Sequence, residues 1–309
     1  MTLEAFIKEK FEERGEEVLE INKLATSGNF MYKIKTNQKE YILRLCGTKK
    51  RYRTKNEVLA EVELIIFLEK KRISVPKLVN FNNCFVVSFE NKNGICYEFI
   101  KGKTIKEPTL KQCYAVGEIL GDIHNLTKNY EFSCKRRHWD LKETIQKFKE
   151  VERLFSKDEY LQKNNFAKRL KVILNKLNFK ENLPKGAIHE DLGKRHVLFE
   201  NNKIKGILDW DRSYSGFFIL DLGQTVRGWC FDNFEKLNNN KLKNLINGYE
   251  NKRKLSEIEK HSLLDAIKFA FIERAIAFVI FAYNTNKNEY KEYAIKDINL
   301  VENLISSNS

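Results

Sequence analysis

Residues 188–211 read IHEDLGKRHVLFENNKIKGILDWD, and this stretch decides the fold. Two short apolar runs, HVLF and KGILDW, are joined by the polar turn ENNK, a pattern typical of a β-hairpin. Asp191 comes just before the first run and Asp209 lies at the end of the second, with His189 and His196 close by in sequence. Isolated carboxylates at both margins of a small apolar hairpin suggest a chemical role.

The composition is typical of a globular protein with about two domains. The chain has 309 residues, of which 42% are hydrophobic and 12% aromatic, and it contains three prolines. These values exclude a disordered tail. The 56 Lys and Arg against 42 Asp and Glu give a net charge of +14, which attracts anions such as nucleotides or nucleic acid. Much of this charge is lysine scattered between apolar positions, as on solvated faces, so charge alone does not indicate a function.

Cysteine usage and hydropathy predict a cytoplasmic protein. The six cysteines include no C-x-x-C pair and are too sparse for a disulfide scaffold, so we expect free thiols. The N-terminal stretch MTLEAFIKEKFEERG has no apolar signal region. Residues 266–283 are the most apolar late stretch, yet they contain Lys268, Glu273 and Arg274. Because a charge at a membrane helix centre costs about 3 kcal/mol, we predict a buried helix there and no membrane partner.

The pattern along the chain changes near residue 100. Before it, the apolar-aromatic runs FMYKI and YILRL predict one pair of strands, and CFVVSF and GICYEFI predict another, with a helix at 54–71 between the pairs. After Gly102 helical periodicity dominates. Helices are predicted at residues 109–126, 141–155, 158–179, 220–230, 240–251, 256–284 and 288–306. We therefore predict an α+β fold with two lobes, a small β-rich lobe at 1–100 and a larger helical lobe at 101–309.

The first predicted helix carries a carboxylate on its apolar face. Val58, Glu61, Ile65 and Leu68 are three or four residues apart and share one side of a helix. A carboxylate there is costly unless a cation meets it. Side chains alternate along the strand YILRL, so Arg44 reaches Glu61 if the strand packs under the helix. The alternative is a solvated Glu61 at the edge of the apolar face.

The hairpin and its flanking residues follow the order of a protein-kinase catalytic region. HEDLGKRH parallels the loop H-R-D-x-x-x-x-N, and LDWD ends the hairpin as the aspartate of D-F-G does. YEFIKG at 97–102 looks like a hinge, GEILGDIHNL at 117–126 like the helix that follows it, and DWDRSYSGFFILDLG like a metal loop with its supporting helix. From about residue 20 to 285 the chain resembles the aminoglycoside phosphotransferase family of kinase-like small-molecule phosphotransferases.

The resemblance implies roles for the two aspartates. Asp191 would be the catalytic base that accepts the proton of the substrate hydroxyl, and Asp209 would bind Mg²⁺. Their carboxyl groups are then expected to face one crevice. Asp221 would hydrogen-bond the backbone of the catalytic loop, although an ordinary aspartate in the first turn of a helix gives the same pattern.

The resemblance also implies a nucleotide site for ATP or GTP in the first lobe. Ser27 and Gly28 would let the backbone approach the nucleotide. Main-chain groups of Glu98 and Ile100 would hydrogen-bond the base. Since main-chain groups carry this recognition, the sequence does not choose between the two nucleotides.

Two positions depart from the commonest kinase pattern. Arg44, held by Glu61, would contact the α- and β-phosphates where kinases have lysine; guanidinium binds phosphate well but is bulkier. His196 stands where asparagine is usual and would be a metal ligand beside Asp209, although nitrogen suits Mg²⁺ less well than oxygen. The alternative is that His196 only caps the loop.

The leading substrate implied by the resemblance is an aminoglycoside-type antibiotic, which would make the enzyme a resistance determinant. A polyamine needs acidic groups near its site, and Asp232, Glu235 and Glu273 are the candidates. The net charge of +14 opposes capture of a polycation, so an amino alcohol, amino acid or sugar is the alternative substrate.

Two other functions are alternatives to that of an active kinase. Substitutions at Arg44 and His196 suggest a catalytically inactive kinase-like binding module, but retention of both Asp191 and Asp209 argues against it. The basic run at 135–137 suggests a nucleic-acid-binding protein. It lacks interleaved stacking aromatics, so we interpret it as a solvated patch and expect no nucleic-acid partner.

Overall fold

The computed structural model describes residues 1–24, 28–47, 53–233 and 235–306. Its internal contacts divide the chain into two compact units. The first comprises Met1–Ile105, Glu131–Arg136 and Arg195–Ser213, and the second comprises Lys106–Tyr130, Arg137–Lys194 and Tyr214–Ser309. The hairpin that ends at Asp209 therefore clusters with the N-terminal part of the chain. The functional division into lobes 1–100 and 101–309 stays a prediction.

Strands and helices are distributed unevenly along the described residues. The strands are β1 (Val18–Leu24), β2 (Phe30–Thr36), β3 (Glu40–Leu45), β4 (Leu78–Val79), β5 (Val86–Phe89), β6 (Lys92–Glu98), β7 (Lys185–Ile188), β8 (Val197–Glu200), β9 (Lys203–Ile207), β10 (Tyr214–Phe217), β11 (Phe231–Asp232) and β12 (Lys236–Leu237). The helices are α1 (Leu3–Glu12), α2 (Lys55–Lys70), α3 (Leu110–Thr127), α4 (Leu141–Phe155), α5 (Glu159–Lys163), α6 (Phe166–Lys176), α7 (Phe218–Trp229), α8 (Asn239–Lys252), α9 (Glu257–Thr285) and α10 (Glu289–Ser306). A β-sheet region thus precedes a helical region, which confirms the α+β class.

The first unit is built on an antiparallel sheet in which β3 is internal. Its strand order is β1-β2-β3-β6-β4, and β5 also pairs with β6. Side chains alternate across β3, so Tyr41, Leu43 and Leu45 join a hydrophobic core with Phe6 and Phe11 of α1. The intervening side chains of β3 are left for the opposite face of the sheet, where α2 packs.

Helix α2 begins at a capping box. The Thr54 hydroxyl accepts from the Glu57 N–H at 3.2 Å, and the Glu57 carboxylate accepts from the Thr54 N–H at 3.0 Å. These bonds satisfy backbone donors that a helix start otherwise leaves unpaired. The buried side of α2 includes Glu61 together with its apolar neighbours, as the helical spacing predicted.

The predicted hairpin is formed by β8 and β9. Glu200 pairs with Lys203, and the two intervening residues, Asn201 and Asn202, have φ of 49° and 60°, a left-handed conformation that asparagine tolerates. Phe199 and Lys103 exchange two backbone hydrogen bonds of 2.9 Å, which fix the hairpin within the first unit.

The second unit is mainly helical, and α3 and α8 cross closely. A Cβ placed on Gly117 would lie 2.0 Å from the Leu245 carbonyl oxygen, so this crossing requires glycine. The prediction of one helix at 158–179 is wrong. The chain turns at Asn165, whose φ of 51° ends α5 and starts α6. Over the described ranges, none of the helices combines the length and apolarity needed to cross a membrane.

Candidate active site

The first unit contains the predicted ion pair between Arg44 and Glu61. The Arg44 Nη2 atom lies 2.8 and 2.7 Å from the two Glu61 carboxylate oxygens, and the side chains are 3% and 1% exposed. Burial lowers the pKa of Arg44, but the carboxylates of Glu61, Asp211 and Asp209 more than offset it and hold this pKa well above its ordinary value. A permanently charged guanidinium is thus fixed on the face of the sheet that α2 covers.

Asp209 follows β9 and lies between Arg44 and His196. Its φ of 65° is left-handed, a strained conformation for a residue other than glycine. One carboxylate oxygen is 3.4 Å from Arg44 Nη1, and the other is 3.3 Å from His196 Nε2. Arg195 Nε donates to the same Nε2 atom at 3.0 Å, so the lone pair of this nitrogen is directed at Arg195. The structure therefore brings together Arg44, Glu61, His196 and Asp209.

The sequence reasoning missed Asp211, a further residue of this site. Asp211 accepts from Asn29 Nδ2 at 3.1 Å. Burial raises the pKa of Asp211, but Arg44 and Arg53 outweigh burial and hold that pKa below its ordinary value. The sequence did not indicate a place in the site for Asp211, since this residue looks like any aspartate in a loop.

Arg136 corrects the interpretation of residues 135–137 as a solvated patch. Its side chain is buried and donates to the backbone carbonyls of Glu57, Ser213 and Asp211. Burial lowers the pKa of Arg136. The guanidinium therefore ties the start of α2 to the segment that follows Asp209, a structural task inside the first unit.

Of the remaining predicted nucleotide residues, Gly28 precedes β2, Glu98 ends β6 and Ile100 follows it. Ser27 lies outside the described residues. The Gly28 carbonyl packs so closely on Gly47 that a Cβ at Gly47 would lie 1.9 Å from it. The Glu98 N–H donates to the Lys77 carbonyl at 2.9 Å, so a base contact at Glu98 would use its carbonyl oxygen. The Ile100 side chain faces β9.

In the second unit, Asp221 positions the loop that carries Asp191. Its two carboxylate oxygens accept from the N–H groups of His189 at 2.9 Å and Glu190 at 2.8 Å, which confirms the predicted contact with the loop backbone. Glu190 has φ of 71°, so the residue before Asp191 is held in a left-handed conformation. The His189 Nδ1 atom accepts from the Asp191 N–H at 3.2 Å.

A buried chain of polar side chains supports Asp221. His124 Nε2 lies 3.1 Å from Asp221, and His124 Nδ1 lies 2.7 Å from the Tyr249 hydroxyl. Burial lowers the pKa of His124 more than Asp221 raises it, so the imidazole is neutral and donates to the carboxylate. Arg253 donates to the Tyr249 hydroxyl at 2.9 Å. His124 therefore joins α3, α7 and α8 through hydrogen bonds.

Asp191 itself is paired with a residue that the sequence reasoning saw only as a charge in an apolar helix. Arg274 Nη2 of α9 lies 3.2 Å from Asp191 Oδ1. The two side chains are 13% and 14% exposed. Nothing in the spacing of the two residues, 83 positions apart, predicts this contact.

Comparison with known proteins identifies the family. Residues 23–255 match the model of the phosphotransferase enzyme family, APH. The chain belongs to this family. The match covers the sheet from the end of β1 onward, the hairpin and α3, α7 and α8, so it includes the segments on which the resemblance was based.

Individual relatives of this chain have low sequence identity to it. A homoserine kinase of Caulobacter vibrioides is 30% identical over 182 residues, which cover 57% of this chain and 55% of that enzyme. The chain thus matches about half the length of this curated relative. The structure of an amicoumacin kinase in complex with AMP-PNP, Ca²⁺ and Ami aligns with a TM-score of 0.72 at 18% identity over 92% of this chain and 88% of its own. The structure of a microcompartment-associated aminopropanol kinase aligns with a TM-score of 0.72 at 16% identity over 98% of both chains. These likenesses confirm the kinase-like fold.

The side chains around Asp209 were compared with the ligands that a divalent metal prefers. Within the described ranges, no group of three or more His, Cys, Asp or Glu side chains is arranged to hold a metal ion. Mg²⁺ usually keeps several waters and is held by one or two carboxylates together with phosphate oxygens. Asp209 provides a partly exposed carboxylate, which suits a metal that arrives with phosphates. His196 Nε2 would join it only after releasing the hydrogen bond from Arg195.

Proposed function

We propose that this chain is a nucleoside-triphosphate-dependent O-phosphotransferase that phosphorylates a hydroxyl group of a small molecule. The observation that carries the proposal is the buried Arg44–Glu61 pair with Asp209 3.4 Å from the guanidinium. A guanidinium held by a buried glutamate offers donors to phosphate oxygens, and a partly exposed carboxylate beside it offers oxygen to a metal. Membership of the phosphotransferase enzyme family supports this interpretation.

Asp191 is assigned as the catalytic base. In the proposed reaction the substrate hydroxyl oxygen forms a bond to the γ-phosphorus while the bond from that phosphorus to the bridging oxygen breaks. The hydroxyl proton passes to the Asp191 carboxylate, and the products are a phosphate monoester and a nucleoside diphosphate. Phosphoryl transfer depends mainly on positioning. The two hydrogen bonds from the loop backbone to Asp221 support this role because they fix the loop that carries the base.

The first unit is assigned to nucleotide binding, with ATP or GTP as the donor. Arg44 would contact the α- and β-phosphates, backbone at Ser27 and Gly28 would approach the nucleotide, and main-chain groups of Glu98 and Ile100 would bind the base. Asp209 and His196 would hold Mg²⁺. When bound, the metal neutralises charge on the phosphate oxygens. Free thiols at the six cysteines support a cytoplasmic enzyme.

For the substrate, we propose a small metabolite that bears a hydroxyl group, such as an amino acid or amino alcohol. The Caulobacter relative named as a homoserine kinase supports this class. The aminoglycoside-type antibiotic implied by the family resemblance is less well supported by the acidic residues. Asp232 is paired with Lys241 at 2.6 Å, and Glu235 is 3.8 Å from Lys296. These carboxylates are already compensated by lysines and are poorly suited to binding a polyamine.

The test is a panel of amino acids, amino alcohols, sugars and aminoglycosides incubated with ATP or GTP and Mg²⁺. Diphosphate release and a new phosphate monoester in ³¹P NMR are expected with at least one small metabolite. Nucleotide binding without transfer to any hydroxyl compound would instead indicate an inactive binding module. Absence of magnesium-dependent nucleotide binding would contradict the proposal altogether.

A further inference from the structure

Arg274 of α9 contacts the carboxylate of the proposed base. Its Nη2 atom lies 3.2 Å from Asp191 Oδ1, within hydrogen-bond distance. Because both side chains are largely shielded from solvent, salt screens their attraction less than it screens a surface pair. An arginine in this place therefore acts on both the charge and the direction of the group that receives the hydroxyl proton.

The other contacts that hold the catalytic loop act on its backbone. Asp221 accepts from the N–H groups of His189 and Glu190. The His189 ring accepts from the Asp191 N–H. These bonds fix the main chain as far as Asp191, but the carboxylate can still rotate about the side-chain torsions that follow. Arg274 contacts the carboxylate itself, so it restrains this rotation with a planar, charged donor group.

The helix that carries Arg274 is packed firmly against α7. A Cβ placed on Gly223 of α7 would lie 2.5 Å from the Ala266 carbonyl oxygen of α9, so the two helices meet backbone to backbone. Farther along α9, the Phe271 ring packs edge-on against Phe231, with centroids 4.8 Å apart. Since α7 also carries the aspartate that holds the loop, the loop backbone and the base carboxylate are both held by one closely packed helix pair.

Titratable side chains from four elements lie around this contact. They belong to α7, α9, α10 and the catalytic loop, and they are Asp221, Arg227, Glu273, Asp297, His189 and Glu190. Burial lowers the pKa of Arg227, which Asp297 raises and Arg274 lowers further, so the two guanidinium groups lie within electrostatic range of each other. Carboxylates outnumber guanidinium groups in this set. Loss of Arg274 would therefore leave Asp191 among like charges, which favour its protonated form.

We propose that Arg274 is a positioning residue for the transfer, which orients the Asp191 carboxylate toward the substrate hydroxyl and keeps it ionised. The inference rests on the proposed function, because it takes Asp191 as the group that receives the hydroxyl proton. Arg274 acts through Asp191 and takes no part in the bond changes. A carboxylate paired with a cation is a weaker base, but phosphoryl transfer depends mainly on positioning, so the gain in orientation outweighs the loss of basicity.

The first experiment measures kcat, KM and nucleotide affinity with the substrates that the wild type phosphorylates. Arg274→Gln is expected to lower kcat roughly 10- to 100-fold on every substrate, the cost of a misplaced catalytic group, while KM stays within about threefold. An unchanged nucleotide dissociation constant shows that the variant is folded. Arg274→Lys keeps the charge but not the planar fork and should recover part of kcat. The matched control is Arg169→Gln, which removes an arginine paired with Glu302 between α6 and α10 and should leave kcat unchanged.

The second experiment measures the pH dependence of kcat/KM, whose acidic limb reports protonation of the base in the free enzyme. A nearby cation favours the ionised carboxylate, so Arg274→Gln should move the midpoint of this limb upward by about 1–3 pH units. Arg274→Lys should leave the midpoint close to that of the wild type. Burial raises the pKa of Asp297 to about 6, so this carboxyl titrates in the same range. The upward shift should therefore persist when Arg274→Gln is compared with Arg274 in an Asp297→Asn background.

A double variant tests whether Arg274 acts through the base. In the Asp191→Asn background there is no carboxylate to orient, so adding Arg274→Gln should change the residual rate by less than about twofold. A loss of the same size in both backgrounds would show that Arg274 acts elsewhere and would overturn the inference.

Three other results would also overturn the inference. They are an equal or higher kcat in Arg274→Gln, an acidic limb that does not move, and a loss confined to KM of carboxylate-bearing substrates, which would mean that Arg274 contacts the substrate. In each of these cases the phosphotransferase activity of the wild type stands. Failure of the wild type to phosphorylate any hydroxyl compound would remove the proposed function and this inference together.

Discussion

The buried Arg44–Glu61 pair gives the sharpest stability prediction, and the perturbation is Glu61→Gln. The substitution keeps the shape of the side chain but removes its charge, so a guanidinium that is 3% exposed loses its main counter-charge. Asp211 and Asp209 also act on Arg44, but Glu61 raises the pKa of Arg44 more than either of them, and Asp209 lies farther away, at 3.4 Å, and is 35% exposed. Breaking a buried pair from one side costs about 3–5 kcal/mol, so we expect the free energy of unfolding to fall by that amount.

The assay is urea-induced unfolding followed by far-UV circular dichroism, without nucleotide. Glu69→Gln is the matched control, since Glu69 is exposed on the same helix and its replacement should change the free energy of unfolding by less than about 0.5 kcal/mol. A double-mutant cycle with Arg44→Met should give a coupling energy of about 1–3 kcal/mol. Equal urea midpoints for Glu61→Gln and Glu69→Gln, or a coupling energy near zero, would refute the burial argument.

Three further predictions concern the metal site and the pH dependence of stability. Asp209→Asn should weaken Mg²⁺-ATP binding about tenfold or more but not binding of metal-free ATP, as measured by calorimetry; equal losses contradict metal binding at Asp209. His196→Ala should reduce Mn²⁺-supported turnover more than Mg²⁺-supported turnover, because nitrogen suits Mn²⁺ better, and an unchanged ratio contradicts ligation. Burial raises the pKa of Asp297 from 3.8 to about 6, so the folded chain takes up this proton before the unfolded chain as pH falls. As pH falls from about 6 to about 4, the free energy of unfolding of the wild type should therefore rise relative to that of Asp297→Asn by up to about 1.4 kcal/mol per pH unit, as measured by urea titration. A difference between the two proteins that does not change with pH would contradict this prediction.

Local periodicity explains what the sequence could predict. The alternation of β3 and the helical spacing of α2 are properties of neighbouring residues, so the facing of Arg44 and Glu61 followed from the sequence. The hairpin followed from two apolar runs and a polar turn for the same reason. The contact of Asp221 with the catalytic loop came from the family resemblance.

Tertiary contacts explain what the sequence could not predict. Arg136 looked solvated because it stands in a basic run, yet distant carbonyl groups bury and hold it. The pairing of Arg274 with Asp191 depends on how α9 packs in the second unit, and 83 residues separate the two. The break at Asn165 depends on one residue in a left-handed conformation, a choice that helical periodicity does not register.

The central claim is that Asp191 accepts the hydroxyl proton during phosphoryl transfer, and the Asp191→Asn variant tests it most directly. With the best substrate of the panel, diphosphate release should fall by about 10²–10⁴-fold or more, while the nucleotide dissociation constant stays within about twofold of wild type. Asp122→Asn, which removes an aspartate 3.5 Å from Lys252, should behave as wild type in both measurements. Undiminished phosphate-ester formation by Asp191→Asn would contradict the account.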